Sequence, residues 1–411
     1  MRVATSMLYQ QGLASIQGQQ SSLMQVQQQL GTGKRIVTPS DDPVGATRAL
    51  GVSQSIAVND QYTATRTQAT NMLGLESNAL QSVVTTVQNI QGLLVQAGNG
   101  TLNDSDRASL ATSLQAQYNQ LLGLANSDNG NGQYLFAGYQ SGSAPFTQGA
   151  GGGIQYNGDT GQQLLQVDVS RQMAAGDSGS SLFMSVQPSA GYVVQAGATN
   201  TGTGVFSALA VTNPSDPLYG HSMLINFQNN ATTGALEYTV TDETVQPPAA
   251  VGSPVGYTPG SAIQVGGVSF TLSGTPAAGD TLTLAPAQQS GTNVFSSLSQ
   301  IIQALKTPVG SAADQANLSN ALSTGSTKIT NALDNVLTVQ TSVGSRIQEL
   351  TTLNDVGTNR NLNYTTTLSS LEDLDYASAI SQYYQYQTAL QAAQQSFVKI
   401  QGMNLFKYVQ G

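Results

Sequence analysis

The chain is 411 residues long, a length that allows two to four domains and a sizeable core. Only 9 % of it is charged and its net charge is −9, against about 25 % charged residues in an average globular protein; a nucleic-acid binder, which needs clustered Lys and Arg, is disfavoured. Cysteine is absent, which excludes disulfides and thiolate metal sites, and no apolar run approaches the ~18 residues that would cross a bilayer.

Residues 1 to 30 read as one helix. Leu13, Ile16, Leu23 and Leu30 follow the alternating four-three spacing of a coiled-coil seam, with Gln20 and Gln27 (or the adjacent Val26) in the gaps. Arg2 is the only charged side chain before Lys34. Thirty helical residues span ~45 Å. Gly31 and Gly33 are expected to stop the helix after Leu30. The apolar core and cleavage signature of a secretory signal peptide are missing. That fits a cytoplasmic protein, or one exported unfolded by a route that reads no cleaved signal.

In the run Lys34-Arg35-Ile36-Val37-Thr38-Pro39-Ser40-Asp41-Asp42-Pro43, Asp42 precedes Pro43 as an N-cap precedes a first-turn proline. Asp41, Asp42 and Pro43 therefore restart the helix. Gly33-Lys34 is not a phosphate-binding loop, because Gln28 stands where its first glycine belongs and Arg35 replaces its Ser or Thr.

Helical spacing continues from Val44 to about Ser127. Leu73, Leu80, Val84, Val87, Leu94 and Val95 mark one face, and Leu110, Leu114, Tyr118, Leu121 and Leu122 mark another. Gly98-Asn99-Gly100 breaks the run, and Asn103, Asp104 and Ser105 can cap its second piece. From Gln133 to about Gln289 the chain turns to Gly, Thr, Pro and short β-type runs. Strands are expected at 133–137, 164–169, 223–227, 236–240, 268–272 and 281–284, in an antiparallel sheet with one face to water. Segments 149–153 and 246–260 read as linkers.

Helices resume at Val294–Leu305 and again from about Asp314 to Val356, where Leu322, Ile329, Val336, Val343 and Leu350 recur every seven residues. The last helix begins at Tyr376. Its seam is Ala379, Tyr383, Tyr386, Leu390, Ala393, Phe397 and Ile400, and only Lys399 and Lys407 carry charge. A solvated coiled coil flanks its seam with Glu and Lys. This helix does not, so most of its circumference is expected to meet protein.

The spacing thus predicts an α+β chain with a nested order: terminal helices outermost in sequence, inner helices next, and a β-rich insertion between them. The expected divisions are 1–43 with 365–411, 44–132 with 290–364, and 133–289.

Little here suggests catalysis. His221 is the only histidine, so a multi-histidine metal site is impossible and a Ser-His-Asp triad would depend on it alone. The acid pairs Asp41-Asp42, Asp104-Asp106 and Glu372-Asp373-Asp375 lie near helix starts, where acids are favoured electrostatically. Tyr383, Tyr384 and Tyr386 fit packing better than ligand stacking. No catalytic, cofactor or metal residues are assigned.

Several motifs carry a resemblance. They are Thr5-Ser6-Met7, Gln29-Leu30-Gly31-Thr32-Gly33-Lys34-Arg35-Ile36 and Pro39-Ser40-Asp41-Asp42-Pro43 near one end. Near the other stand Leu371-Glu372-Asp373-Leu374-Asp375-Tyr376-Ala377, Leu390-Gln391-Ala392-Ala393-Gln394-Gln395-Ser396-Phe397 and Asn404-Leu405-Phe406-Lys407-Tyr408. They cover about the first 60 and last 65 residues. On them the sequence resembles the hook-associated protein 3 family, the hook–filament junction proteins of the flagellin superfamily. The resemblance implies a flagellin-like fold, export through the flagellar type III apparatus with an export chaperone, and an extracellular place in the bacterial flagellum. It also implies assembly as a ring of copies between hook-associated protein 1 and the flagellin filament, with Leu13, Ile16, Leu23, Leu30, Tyr383, Leu390, Phe397 and Ile400 in the assembly interface.

Flagellin itself is the nearer alternative, and an enzyme or glycan-binding module in the β region the remoter one. Because isolated helices are marginal in water, residues 1 to about 35 and 376 to 411 are expected to fold only on assembly.

Overall fold

The structure, a computed structural model, describes residues 2–149 and 152–406, without the side chains of 2–6, 8 and 400–406. Seven helices are formed among the described residues: α1 (Arg2–Thr32), α2 (Pro43–Ala97), α3 (Asp104–Ala125), the short α4 (Gly179–Phe183), α5 (Val294–Lys306), α6 (Ala312–Glu372) and α7 (Tyr376–Phe406). Pro43 and Tyr376 open their helices as the capping residues indicate. Helix α1 runs two residues past Leu30, and the turn falls at Gly33, which adopts the left-handed φ of 70° that glycine tolerates best. Helix α6 also continues beyond Val356 to Glu372 without a break. Asn-, Thr- and Ser-rich turns there lack an apolar stripe but still contain no Pro or Gly after Gly357.

The chain divides into two compact units, Met1–Thr65 with Thr352–Gly411, and Arg66–Thr351. Helices α2 and α6 contribute a stretch to each.

In the first unit α1 and α7 lie antiparallel: Phe397 packs against Gly12, and Tyr376 against Gly33. The rings of Tyr9 and Phe397 are 5.0 Å apart. Over the described residues both terminal helices are formed and paired in this structure; the expectation that they fold only on assembly concerns the free subunit, and hydrogen exchange on the monomer tests it. Each supplies the seam partner the other lacks. The seam of α1 coincides with the expected one at Ile16, Leu23, Val26 and Leu30 and departs from it by one residue at two places, Gly12 for Leu13 and Gln19 for Gln20. Gly12, Ile16, Gln19, Leu23, Val26 and Leu30 are covered, whereas Leu13 is 41 % exposed. A bare glycine lets the Phe397 ring approach the α1 backbone, and that contact sets the phase. The pairing is thin. Among the described residues the apolar side chains buried in this unit are Val26, Ile36, Ala49 and Ala379; all other buried apolar side chains belong to the second unit. Alongside, α2 and α6 are tied by Asn59 Nδ2 donating to Gly357 O (3.0 Å) and Asn361 Nδ2 to Asp60 Oδ1 (2.8 Å).

The second unit has a helical layer and a β layer. The seven-residue repeat of α6 is wholly buried at Leu322, Ile329, Val336, Val343 and Leu350, as are Leu73, Leu80, Val84, Val87 and Leu94 of α2. Val95, one residue past that stripe, is 79 % exposed. Gln340 donates to Gln81 (3.0 Å) and Gln91 to Thr330 (3.1 Å), which fixes α2 and α6 antiparallel here. Asn103 caps α3 in a reciprocal box with Asp106.

Two antiparallel ribbons follow, β1 (Phe146–Gln148) with β2 (Ile154–Tyr156) and β3 (Leu164–Asp168) with β4 (Arg171–Ala174). The remaining strands are β5 (Tyr192–Ala196), β6 (Val205–Phe206), β7 (Ala210–Val211), β8 (Met223–Asn229), β9 (Leu236–Asp242), β10 (Ala249–Gly256), β11 (Ala262–Val265), β12 (Val268–Ser273) and β13 (Thr281–Pro286). They form a five-stranded sheet, β10-β9-β8-β13-β5, and a smaller one, β11-β12-β6 with β7 beside β12. Among the described residues every pairing in the two sheets is antiparallel. Met223, Ile225, Phe227 and Leu284 of the first sheet share one core with Ile263, Phe270 and Leu272 of the second.

Two β-region expectations fail. Residues 133–137 form turns joined by a single Asp128–Tyr134 bridge. Phe136 instead packs edge-on against Phe183, which meets Phe146 and Phe295 in turn, an aromatic cluster that includes residues of α4 and α5. Segment 246–260 contains strand β10, which pairs with β9 and accommodates Gly252 and Pro254 in a register shift between Val251 and Val255. As an edge strand it needs a partner on one side only, so its proline is tolerated.

Buried polar groups on α6 seat the β layer. Asn320 donates to Gly204 O and accepts from Phe206 N–H. Thr324 donates to Val194 O (2.7 Å), and Asn335 to Ser181 O (2.7 Å). The β region thus clusters with these helices in one unit.

Candidate functional site

The two sequence motifs that flank the terminal helices, 31–43 and 371–378, meet in the first unit. Lys34 pairs with Asp373 in an isolated antiparallel bridge. Arg35 N–H donates to Glu372 O (2.6 Å), and Leu374 N–H to Gly33 O (3.0 Å). Side chains reinforce the backbone. Lys34 Nζ bonds Glu372 Oε2 at 2.5 Å, and Arg35 reaches both Leu371 O (2.8 Å) and Asp42 Oδ2 (3.3 Å). Residues 336 positions apart in sequence are thereby joined where α1 gives way to α2 and α6 to α7.

Asp41 and Asp42 divide the work. Asp41 accepts from the N–H groups of Val37 (3.0 Å) and Thr38 (2.8 Å) and from Gln25 of α1 (2.9 Å). Asp42 Oδ1 accepts from Gly45 N–H at 2.8 Å, the N-cap bond of α2. The Thr38 amide holds Asp41 below the usual carboxylate range. The Gly45 amide, followed by the Arg35 guanidinium, does the same for Asp42. Depressed carboxylates stabilise at neutral pH and lose that contribution as pH falls through their folded values, so the joint loosens in acid. Asp375 caps α7, accepting from Ala377 (3.0 Å) and Ser378 (3.2 Å). Glu372 and Asp373 close α6 rather than open a helix, and Lys34 balances Glu372.

Gly45 is buried, and a Cβ there would collide with the Asp42 carboxylate and the Ile36 side chain. Gly45→Val is therefore expected to cost about 1–3 kcal/mol by overpacking. Asp42→Asn, which keeps the cap acceptor, should change stability little, and Asp42→Ala should fall between them. Chemical denaturation of the three variants checks this order.

The expected interface residues are distributed as follows. Ile16, Leu23, Leu30, Tyr383, Leu390 and Phe397 are half-buried along the α1–α7 seam; Leu13 points away from it. The Ile400 side chain and the Asn404–Tyr408 ending lie outside the described side chains. The helices of this unit also expose large apolar side chains on their outer faces. Met7 (69 %), Leu50 (61 %), Leu362 (65 %) and Tyr384 (62 %) are examples. Four-three spacing could not find these, because it selects the face that pairs within the chain.

His221 Nδ1 lies 2.7 Å from Asp242 Oδ2, and the neighbouring Ser222 hydroxyl donates to Gln289 (2.7 Å). This clasps the end of β9 and aims no nucleophile at the imidazole. Among the described residues no group of three or more His, Cys, Asp or Glu could hold a metal, and no helix is long and apolar enough to cross a membrane.

Long helices from both ends of the chain, with an antiparallel β region inserted between them in sequence, define a flagellin-like architecture. In keeping with it, residues 3–141 match the bacterial flagellin N-terminal helical region and residues 326–409 the flagellin C-terminal helical region. Over 408 residues, 99 % of both chains, the sequence is 35 % identical to flagellar hook-associated protein 3 of Escherichia coli (strain K12). The corresponding protein of Salmonella typhimurium is 34 % identical over the same share of each chain. A crystal structure of flagellar hook-associated protein-3 from Legionella pneumophila superposes with a TM-score of 0.70 at 30 % identity, covering 78 % of this chain and 98 % of that one. The chain belongs to the flagellar hook-associated protein 3 family, and is a structural protein of the flagellum.

Proposed function

We propose that this protein joins the hook end of the flagellum to its filament, assembling as a ring of copies between hook-associated protein 1 and flagellin. One observation carries the proposal: the helices of the first unit expose large apolar side chains on their outer faces while burying few within the chain. Apolar side chains exposed on helices that carry almost no charge suit contact with neighbouring protein. Residues 1–43 and 365–411 line the tube, 44–132 and 290–364 form the next shell, and 133–289 project outward. Leu13, freed from the intrachain seam, faces a neighbouring subunit. Near-absence of charge on α1 and α7 suits a helix surrounded by other helices. The role is structural, without catalysis. Delivery is by the flagellar type III apparatus and an export chaperone.

Immunogold labelling of isolated flagella tests the reading. Gold is expected at a single band where hook meets filament. Label along the whole filament would favour a flagellin, and flagella without label would overturn the proposal.

A further inference from the structure

A cleft of about 540 Å³ opens in the second unit between β5, α5 and α6. Ile301 and Ala304 of α5 and Leu318 and Ala321 of α6 line its apolar floor. Gly325 lets Ile301 pack directly on the α6 backbone, which fixes the floor in place. Along α6 the lining runs from Asp314 to Lys328; fourteen residues at 1.5 Å each give ~21 Å. That length takes about six residues of extended chain at 3.2–3.4 Å apiece.

The polar groups on this wall are unevenly satisfied. Asp314 is occupied, accepting from Ser311 Oγ (2.7 Å) and Gly310 N–H (3.2 Å) at the start of α6. Lys328, at the opposite end, is half-buried, and burial pulls its ammonium below the usual lysine range. Its one hydrogen bond is a long contact to Gln195 Oε1 at 3.5 Å, and no carboxylate among the described residues pairs with it. The carboxamides of Gln300 and Gln303 also line the cleft, exposed. In a chain of net charge −9, a partly desolvated cation gains more from a neighbouring anion than an exposed one does.

We propose that this cleft binds an extended acidic peptide segment of a partner protein, with apolar side chains on the Ile301–Leu318 floor and a carboxylate on Lys328. The amide rim decides between a peptide and a free carboxylic acid. Gln300 and Gln303 offer donors and acceptors that match peptide N–H and C=O groups, whereas an alkyl carboxylate would leave them unused. The carboxylate supplies the charge-assisted bond that Lys328 lacks. This site is separate from the apolar helix faces of the first unit and does not depend on the junction role.

The test titrates the intact protein with an N-acetylated, C-amidated peptide of sequence Ala-Leu-Ala-Leu-Glu, following methyl and lysine side-chain NMR signals. Saturable shifts at Lys328, Ile301 and Ala304 are expected. Replacing the peptide Glu by Gln should weaken binding at least tenfold. Lys328→Met should do the same, Lys328→Arg should retain binding, and the double variant Gln300→Ala/Gln303→Ala should weaken it severalfold. The melting temperatures of all variants, compared with the parent, separate lost binding from lost folding; the glutamine pair, being exposed, keeps the test usable if Lys328→Met unfolds. Equal binding of the Glu and Gln peptides, or no saturable shift, overturns the proposal. Octanoate binding as tightly as the peptide overturns the peptide occupant.

Discussion

Cells whose copy of this chain ends at Ala389 are expected to lose swimming and to release flagellin into the medium as monomers. The truncation removes Leu390, Ala393 and Phe397 from the α7 seam. Phe397 is the residue that packs on Gly12 and lies 5.0 Å from the Tyr9 ring, so the outer half of α1 loses its intrachain partner as well. A helix of that length without tertiary packing is marginal in water. Both terminal helices would then be absent from the face on which the next subunit assembles. The β layer provides the contrast. Gly197 N–H donates to Thr281 O at 2.9 Å, so residues 198–280 can be replaced by a short Gly-Ser turn that joins β5 directly to β13. That variant keeps the contact between Thr324 and β5 and is expected to retain partial motility. A truncated strain that swims normally, with flagellin retained on the cell, would show that the terminal helices do not make the joint.

The contrast between these variants follows a division already legible in the residues. Periodicity placed α6 well, since five apolar side chains seven apart can be buried together only on one helical stripe. Capping chemistry placed the starts of α2 and α7, where Asp42 and Asp375 accept amide bonds that only a helix start leaves free. The β-rich insertion was legible as a change of composition, and the strands expected at 164–169, 223–227, 236–240, 268–272 and 281–284 all form; two of its segments fold otherwise than expected. The apolar run 133–137 had a better use for Phe136, in an aromatic cluster with Phe183 and Phe295, than in a ladder. The β10 segment is uncharged and carries a proline, so it resembled a linker until β9 supplied a pairing edge.

At the joint, the sequence marked both motifs but could not show that they meet. The Lys34–Glu372 and Arg35–Leu371 contacts join residues 338 and 336 positions apart, a pairing that local spacing does not encode. That Gly12 rather than Leu13 lies in the α1 seam has a similar cause. Counting large apolar residues selects Leu13, yet a seam is a surface, and the missing side chain of Gly12 is what admits Phe397. Glu76 was overlooked for a different reason. A single carboxylate among the apolar residues of α2 reads as a solvated position, and only the chain folded over it reveals its burial.

Glu76 gives the second large effect, a fall in the stability of the second unit as pH rises. The residue is 2 % exposed. Its Oε1 accepts from Asp177 N–H at 3.2 Å, and Oε2 is buried with no partner among the described residues. Arg346 on α6 binds the Asp177 carboxylate and donates to Ala174 O (3.0 Å), while Gln162 donates to the other Asp177 oxygen (2.7 Å). The nearby cation is thus engaged by Asp177. Burial, and then the charge on Asp177, push Glu76 up to about 8 from its ordinary 4.5, with Arg346 opposing only part of the shift. Between those two values the folded chain holds a proton that the unfolded chain has released. Stability therefore declines as pH rises through this window and levels off above the folded value. At about 1.36 kcal/mol per pKa unit the full loss is at most about 5 kcal/mol. Glu76→Gln keeps an acceptor for Asp177 N–H and removes the ionisation. The variant is expected to unfold at higher denaturant concentration than the parent at pH 8.5, by several tenths molar or more, and to converge on it near pH 5. Urea titrations at pH 5, 7 and 8.5 measure the gap. Parallel pH profiles for parent and variant would mean that Glu76 ionises without cost in the fold, and that the segment around Asp177 opens to admit water.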